Sequence, residues 1–405
     1  MRVLWFTSRP IIGTCGEDKP TGSGSWLDAA YDSCKDIPGL ELHIVSLSVI
    51  TKRVTEKRDG HYFYLLPDSK ESWSFLKGNV LPDVVQVWGT EHDKFLPAFD
   101  VYRDVPKVVY IQGVAAKIAR EYDLGISSSE KRRYLTIQDV YRHSWFDAVK
   151  KDFTKRAEVE SKMLRASDAV IVENDWCADQ VSAIAPGIEV YRSKLPIKSE
   201  FFQQQWALSK VERRSIFTNA GGHPFKGHHI LFRALAIIAK RYPDVKLYVP
   251  GFSRMGGGFK NWTRRKGYEN MLQHIISDDN LDKNIVYVGA LTAEQMAEHL
   301  SKCNAYVMPS CVENHSSSLI EAMIVGAPSV SSFVGGVGAI AQNGYNALLY
   351  NYSDPESIAG NVLRIFEDDE LAQRLSDNCE HLRKDRLDIC IGDEFSVIYN
   401  KLTGR

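Results

Sequence analysis

The stretch CVENHSSSLIEAM, Cys311–Met323, places two carboxylates, Glu313 and Glu321, on either side of three consecutive serines, Ser316, Ser317 and Ser318. Gly326 and Pro328 are helix-stopping residues just beyond it, so a helix of about two turns fits between Ser318 and Val325. Ser318-Leu-Ile-Glu321 has the spacing of a capping box, in which serine caps the third residue's N–H and glutamate reaches back. That would account for Glu321 without any ligand. It leaves Glu313 unexplained, because on one continuous helix the two acids would point ~80° apart. Glu313 therefore belongs to a loop after the apolar run Ala305–Met308, at a strand end where open α/β sheets bind their ligands.

Two further stretches carry ligand-binding residue types. In NAGGHPFKGHHILFRAL, Asn219–Leu235, a strand precedes and an amphipathic helix comes after, with Ile230, Ala234 and Ile238 on one face. Lys226 near that helix start opposes the dipole unless an anion lies between them, and helix-start N–H groups hold phosphate. A solvated lysine explains the position equally well. His223 is a second candidate contact. In TGSGSWLDAA, Thr21–Ala30, Gly22 and Gly24 would let backbone approach a ligand closely, while a flexible loop capped by Ser25 is the plainer account.

The elements that position these residues emerge from the hydrophobic pattern. A chain of 405 residues exceeds one ordinary core and implies two domains of roughly 200 residues. Fifty basic against 51 acidic residues argue against a nucleic-acid partner. No apolar run reaches membrane-spanning length, and MRVLWFTSRP reads as a buried first strand rather than a secretory signal. Seven scattered cysteines without a CxxC pair suit a reducing cytosol.

Short apolar runs alternate with helical stretches. Strands are expected at Val3–Thr7, Glu41–Ser46, His61–Leu65, Val84–Trp88, Lys107–Ile111, Ala169–Val172 and Glu189–Tyr191. A second set is expected at Ser215–Thr218, Lys246–Pro250, Ile285–Val288, Ala305–Met308 and Ser329–Ser331. The pattern predicts parallel strands with crossover helices, hence an α/β fold of two tandem doubly wound, Rossmann-like domains facing a cleft. A long charged helical region is expected from Lys131 to Arg165. The boundary falls near Pro196–Val211, giving domains of residues 1–198 and 199–388.

E-x7-E after a strand, followed by EAM and by the run G-x-P-x-V-x-S-x-x-G-G in AMIVGAPSVSSFVGG (Ala322–Gly336), resembles the retaining glycosyltransferases of family 4, with the GT-B fold. The resemblance extends to KG in FKGHHIL, the early glycine loop and DVVQVWGTEH (Asp83–His92). RAEVESKMLRASDAVIVENDW (Arg156–Trp176) is similar to a subgroup acting on bacterial surface polysaccharides. The resemblance implies that a terminal helix, residues 389–405, packs back on the first domain through a hinge near Leu387–Gly392.

Residue by residue, the resemblance implies that Glu321 holds the ribose hydroxyls of a nucleotide sugar and Glu313 contacts the donor sugar. Carboxylates suit hydroxyls and repel phosphate. Backbone N–H groups around Ser316, Ser317 and Ser318 would hold the distal phosphate and Lys226 would neutralise the diphosphate. Gly22 and Gly24 would approach the donor, and the nucleobase would lie near Gly289, Ala290 and Leu291 and close to Pro250–Phe252. Departures are visible too: Gly221 stands where the family often has arginine, and Gln112 where it often has histidine. Gln112 positions a hydroxyl but is no general base. His92 is an alternative near the acceptor, with a surface histidine as the plainer account; Glu91 and Asn174 share that ambiguity.

The implied activity is that of a retaining hexosyltransferase, transferring sugar from a UDP- or GDP-sugar to a glycan or lipid-linked acceptor in polysaccharide biosynthesis. No cofactor and no metal is expected. Retention in this family is described as front-face, the departing phosphate helping to deprotonate the acceptor. A cytoplasmic location is expected. Basic runs at Lys131–Arg133 and Lys150–Arg156 with interleaved aromatics suggest a peripheral membrane contact, although a solvated amphipathic helix is favoured. A GT-B epimerase or phosphorylase and a non-catalytic sugar-binding protein are the alternatives.

Overall fold

Strand β1 (Arg2–Thr7) shows how the first sheet is built: Leu4 and Phe6 point into one core, Val3 and Trp5 into another. Strand side chains alternate between faces, and a strand buried on both must be apolar throughout. The computed structural model describes residues 1–16, 25–252, 255, 261, 263–387 and 389–405. These form two units, one of Met1–Ala116, Thr154–Pro196 and Asp388–Arg405, the other of Lys117–Phe153 and Ile197–Leu387.

In the first unit β1 is joined by β2 (Glu41–Ser48), β3 (Val54–Arg58), β4 (His61–Pro67), β5 (Val84–Trp88), β6 (Lys107–Tyr110), β7 (Ala169–Val172) and β8 (Glu189–Arg192). Their order is β3-β4-β2-β1-β5-β6-β7-β8, parallel except for the β3–β4 hairpin. The helix Ile391–Thr403 completes one face of this sheet. Phe395 packs among Trp5, Trp88 and Tyr110, and the Tyr399 hydroxyl accepts from Trp5 Nε1 at 3.0 Å while donating to Gln86 Oε1.

The second unit holds β9 (Glu212–Phe217), β10 (Lys246–Pro250), β11 (Ile285–Gly289), β12 (Cys303–Met308), β13 (Ser329–Ser332) and β14 (Leu348–Tyr350), in the order β11-β10-β9-β12-β13-β14 and parallel throughout. The helix His228–Arg241 buries Ile230, Leu231, Ala234, Leu235 and Ile238.

Two strands were not expected from sequence. β3 is a polar edge strand, VTEKR, almost wholly exposed, and β14 has only three residues. The expected helix from Lys131 to Arg165 is instead three: Ser128–Arg133, Ile137–Arg142 and Phe146–Ala166. Capping boxes at Ser127/Glu130 and Thr136/Asp139 start the first two, and His143 in the left-handed region (φ 49°) ends the second. Among the described residues, no helix is long and apolar enough to cross a membrane.

Candidate functional site

In the second sheet the winding reverses between β9 and β12, and the crevice outside such a reversal is where ligands bind in open α/β sheets. Asn219 comes after β9 there, and Pro309–Glu313 after β12. Lys226 Nζ lies 2.5 Å from Glu313 Oε1, a partly buried ion pair. Beside it, Asn219 Nδ2 donates to Glu321 Oε2 at 3.4 Å, and the buried Tyr306 hydroxyl donates to Asn219 Oδ1 at 2.6 Å. Burial pushes the Glu321 carboxyl up to about 8, against the opposing pull of Lys198 and Asn219.

Two glycines explain why the strand ends approach so closely. A Cβ on Gly227, at φ 77°, would lie 1.8 Å from the Pro309 carbonyl oxygen. Gly227 is also the N-cap of the helix after Lys226, so only a glycine starts that helix against the end of β12. A Cβ on Gly335 would lie 1.8 Å from the Glu313 carbonyl oxygen, and that oxygen accepts from Gly336 N at 3.1 Å. The glycine pair therefore clamps the Glu313 backbone.

The expected capping box at Ser318 and Glu321 does not form. The helix is Ser317–Val325, and Ser316 caps it by accepting from Leu319 N. Three serines in a row offer three caps; Glu321 reaches Asn219 instead of its own helix start. Ser318 hydrogen-bonds Ser316 at 3.1 Å. The first-turn N–H groups of Ser317 and Ser318 stay at the helix start beside the Glu313 loop.

Lys226 is not the freely solvated lysine of the plainer account, because Glu313 engages it. Gly221 lies against its side chain. His223 stacks on Phe225 at 5.4 Å and meets Tyr122 and Phe153 edge-on, lining a cavity of about 340 Å³ with Lys266 and Tyr268. Gly289, Ala290 and Leu291 lie at the end of β11, two strands from β9, with the Gly289 carbonyl held by Gly251 N at 2.7 Å. Gly22 and Gly24 lie outside the described residues.

The first sheet reverses between β1 and β5. Gly89, at φ 88°, ends β5, and a Cβ there would lie 3.1 Å from Glu91 Oε2 and 3.6 Å from Gln112 Oε1, so Glu91 and Gln112 converge on it. His92 Nε2 is 3.8 Å from Glu91 Oε1, and burial lowers the His92 pKa. Behind them stands a residue that sequence reading missed, Glu160. It is fully buried, accepts from Thr90 Oγ1 at 2.8 Å and Ala115 N at 3.2 Å, and desolvation lifts its carboxyl to about 7. A lone glutamate on a charged helix gave no signal. Asn174 is a helix cap, accepting from Cys177 N at 2.9 Å.

The fold defines the class: two tandem Rossmann-like domains of GT-B type. Sucrose-phosphate synthase from Thermosynechococcus elongatus superposes with a TM-score of 0.73 at 12% identity, over 100% of this chain and 99% of that one. Anabaena Alr3699/HepE, solved with UDP-glucose, gives 0.68 at 13% identity over 99% and 100%.

Residues 199–381 match the family of glycosyl transferases, group 1, which puts this stretch in the glycosyltransferase superfamily. A D-inositol 3-phosphate glycosyltransferase of Corynebacterium urealyticum is 25% identical over 145 residues, 36% of this chain and 33% of that protein. The chain spans about a third of the length of the curated relatives it matches.

Proposed function

We propose that this protein is a retaining hexosyltransferase of family 4 type, taking a sugar from a UDP- or GDP-sugar and placing it on a glycan or lipid-linked acceptor in polysaccharide biosynthesis. The observation that carries the reading is the set at the β9/β12 reversal: a lysine–glutamate ion pair, a second glutamate held by Asn219 and a helix start, inside the stretch that matches group 1 glycosyltransferases.

In this reading Lys226 and the N–H groups of Ser317 and Ser318 hold the diphosphate. Negative charge grows there as the sugar–phosphate bond breaks, and fixed donors stabilise it. Glu321 takes the ribose hydroxyls and Glu313 the sugar hydroxyls. Glu313 and Glu321 are thus binding groups rather than the acid and nucleophile of a glycosidase. Gln112, His92 and Glu91 are the hydroxyl-seeking groups of the first unit that suit an acceptor.

A cytoplasmic enzyme peripheral to a membrane is consistent with residues 128–142. Lys131 and Lys150 both pair with Asp123, leaving the exposed Arg132, Arg133 and Arg142 around Ile137 and Tyr141, which are 87% and 81% exposed. Such a face suits an anionic lipid surface.

A thermal-shift series with UDP, GDP, ADP and their sugars tests the reading. One nucleotide, at 100 times its dissociation constant, should stabilise by ~2.7 kcal/mol. The absence of any shift across the series would refute the proposal.

A further inference from the structure

The last two strands of the second sheet end at a cavity of about 660 Å³ that shares no residue with the proposed donor site. β13 leads into Phe333 at its rim, and β14 brings Leu349 and Tyr350 to its wall. Phe333 is 61% exposed, yet its place is fixed. Its backbone N–H donates to Tyr350 O at 2.8 Å, and its ring lies against Gly338, where a Cβ would come within 3.2 Å of Cε2. A side chain at 338 would push the ring off the rim.

Three amides line the same cavity: Gln342, Asn343 and Asn351. Asn343 Oδ1 accepts from Leu349 N at 2.9 Å, which fixes that amide and leaves its Nδ2 to donate elsewhere. The Gln342 and Asn351 side chains have no hydrogen-bond partner among the described residues. The loop that carries Gln342 is itself stapled. Asn346 Oδ1 accepts from Gln342 N at 2.8 Å, and Asn346 Nδ2 donates to Ile340 O at 3.1 Å. Among the described residues, no charged side chain lines the cavity.

These groups select a ligand class. Without a cation the cavity offers nothing to compensate a phosphate or a carboxylate. A hydrocarbon tail would leave the amides unsatisfied. A neutral sugar meets both features. Its hydroxyls donate to and accept from amides, and its C–H face lies on an aromatic ring whose own face is negative. The volume falls within the ~300–1,000 Å³ of ordinary ligand pockets.

We infer that this cavity is a second saccharide-binding site, which takes a neutral stretch of a glycan. The segment Gly335–Ala339 sets its position: Gly335 and Gly336 clamp the Glu313 backbone, and Gly338 carries the Phe333 ring. A glycan held here lies one short turn from the residue proposed to contact the donor sugar. The inference rests on the proposed function for the presence of a glycan and on the lining residues for the rest.

Saturation-transfer NMR on the full chain tests it, with whichever of UDP, GDP or ADP shifts the melting temperature most present at saturation. The probes are linear oligosaccharides of glucose, of mannose and of galactose, with an oligogalacturonate as the acidic control. At least one neutral probe should bind beside the nucleotide, and the acidic one should not. Phe333→Ala changes an exposed position, so it should keep the wild-type melting temperature and nucleotide affinity while weakening the sugar roughly tenfold. Asn351→Ala should weaken it roughly threefold, the worth of one neutral hydrogen bond. The inference is overturned by a wild-type chain that binds no neutral probe, by Phe333→Ala binding at wild-type strength, by preference for the acidic probe or by displacement of the sugar by nucleotide. A chain that binds sugar through Phe333 but no nucleotide would refute the proposed donor site and leave this one standing.

Discussion

The chain reverses its winding twice, between β1 and β5 and between β9 and β12, and the two reversals are furnished differently. Both put glutamates at strand ends next to a positive-φ glycine. At β9/β12 one acid is ion-paired to Lys226 and its backbone is clamped by Gly335 and Gly336. At β1/β5 the Glu91 carboxylate accepts from Thr90 N and faces His92, while Glu160 lies buried against the Thr90 hydroxyl. The first arrangement is organised around fixed charge. The second buries a glutamate against Thr90 and Ala115, while Glu91 and Gln112 converge on Gly89. In the proposed reading the Lys226–Glu313 ion pair suits an anionic donor, and the hydroxyl-seeking Glu91 and Gln112 suit a neutral acceptor.

That contrast can be broken by removing the fixed charge. Glu313→Ala should cost transfer at least 10²–10³-fold, roughly the scale of losing one preorganised polar contact to the reacting groups, with an unchanged melting temperature. A steady-state assay showing near-normal turnover would erase the distinction.

The next effect concerns Glu321. A carboxyl whose pKa rises from 4.5 to about 8 on folding holds more protons folded than unfolded between those values. Stability should therefore fall as pH rises through that window, by at most about 1.4 kcal/mol per pH unit. Denaturant titrations of Glu321→Gln should show a flatter pH profile than wild type; parallel profiles would mean that Glu321 is ionised throughout.

Glu160 has the same sign over a narrower window, from 4.5 to about 7. Glu160→Gln, compared in the same titrations, should remove a slope of the same size per pH unit that ends about one pH unit earlier, and so a smaller total. A slope persisting to about pH 8 in Glu321→Gln would assign the titration to another group.

Much of the architecture was legible because buried parallel strands are near-continuous apolar runs, as in VVQVW and CNAYVM. β3 escaped because an exposed edge strand is polar, and β14 because three residues make no pattern. The breaks in the 131–165 helix were written in the sequence as Ser127-x-x-Glu130 and Thr136-x-x-Asp139, signals that outrank a charged periodicity. Of the donor-side residues, Glu313 stood out because no helix cap accounts for it. Its pairing with Lys226 spans 87 positions and depends on two loops meeting across a strand crossing. Glu160 was invisible for a related reason: it lies on a charged helix, and only the tertiary contacts bury it.

The Tyr399 hydroxyl joins Trp5 and Gln86 across 394 and 313 positions of chain. On a ribosome that synthesises from the amino end, the first sheet must wait with Trp5, Trp88 and Tyr110 uncovered while the whole second unit emerges. The part made first is thus the part finished last. A nascent chain stalled before residue 391 would carry an open aromatic face, the kind of surface that chaperones bind and that aggregates when left unattended.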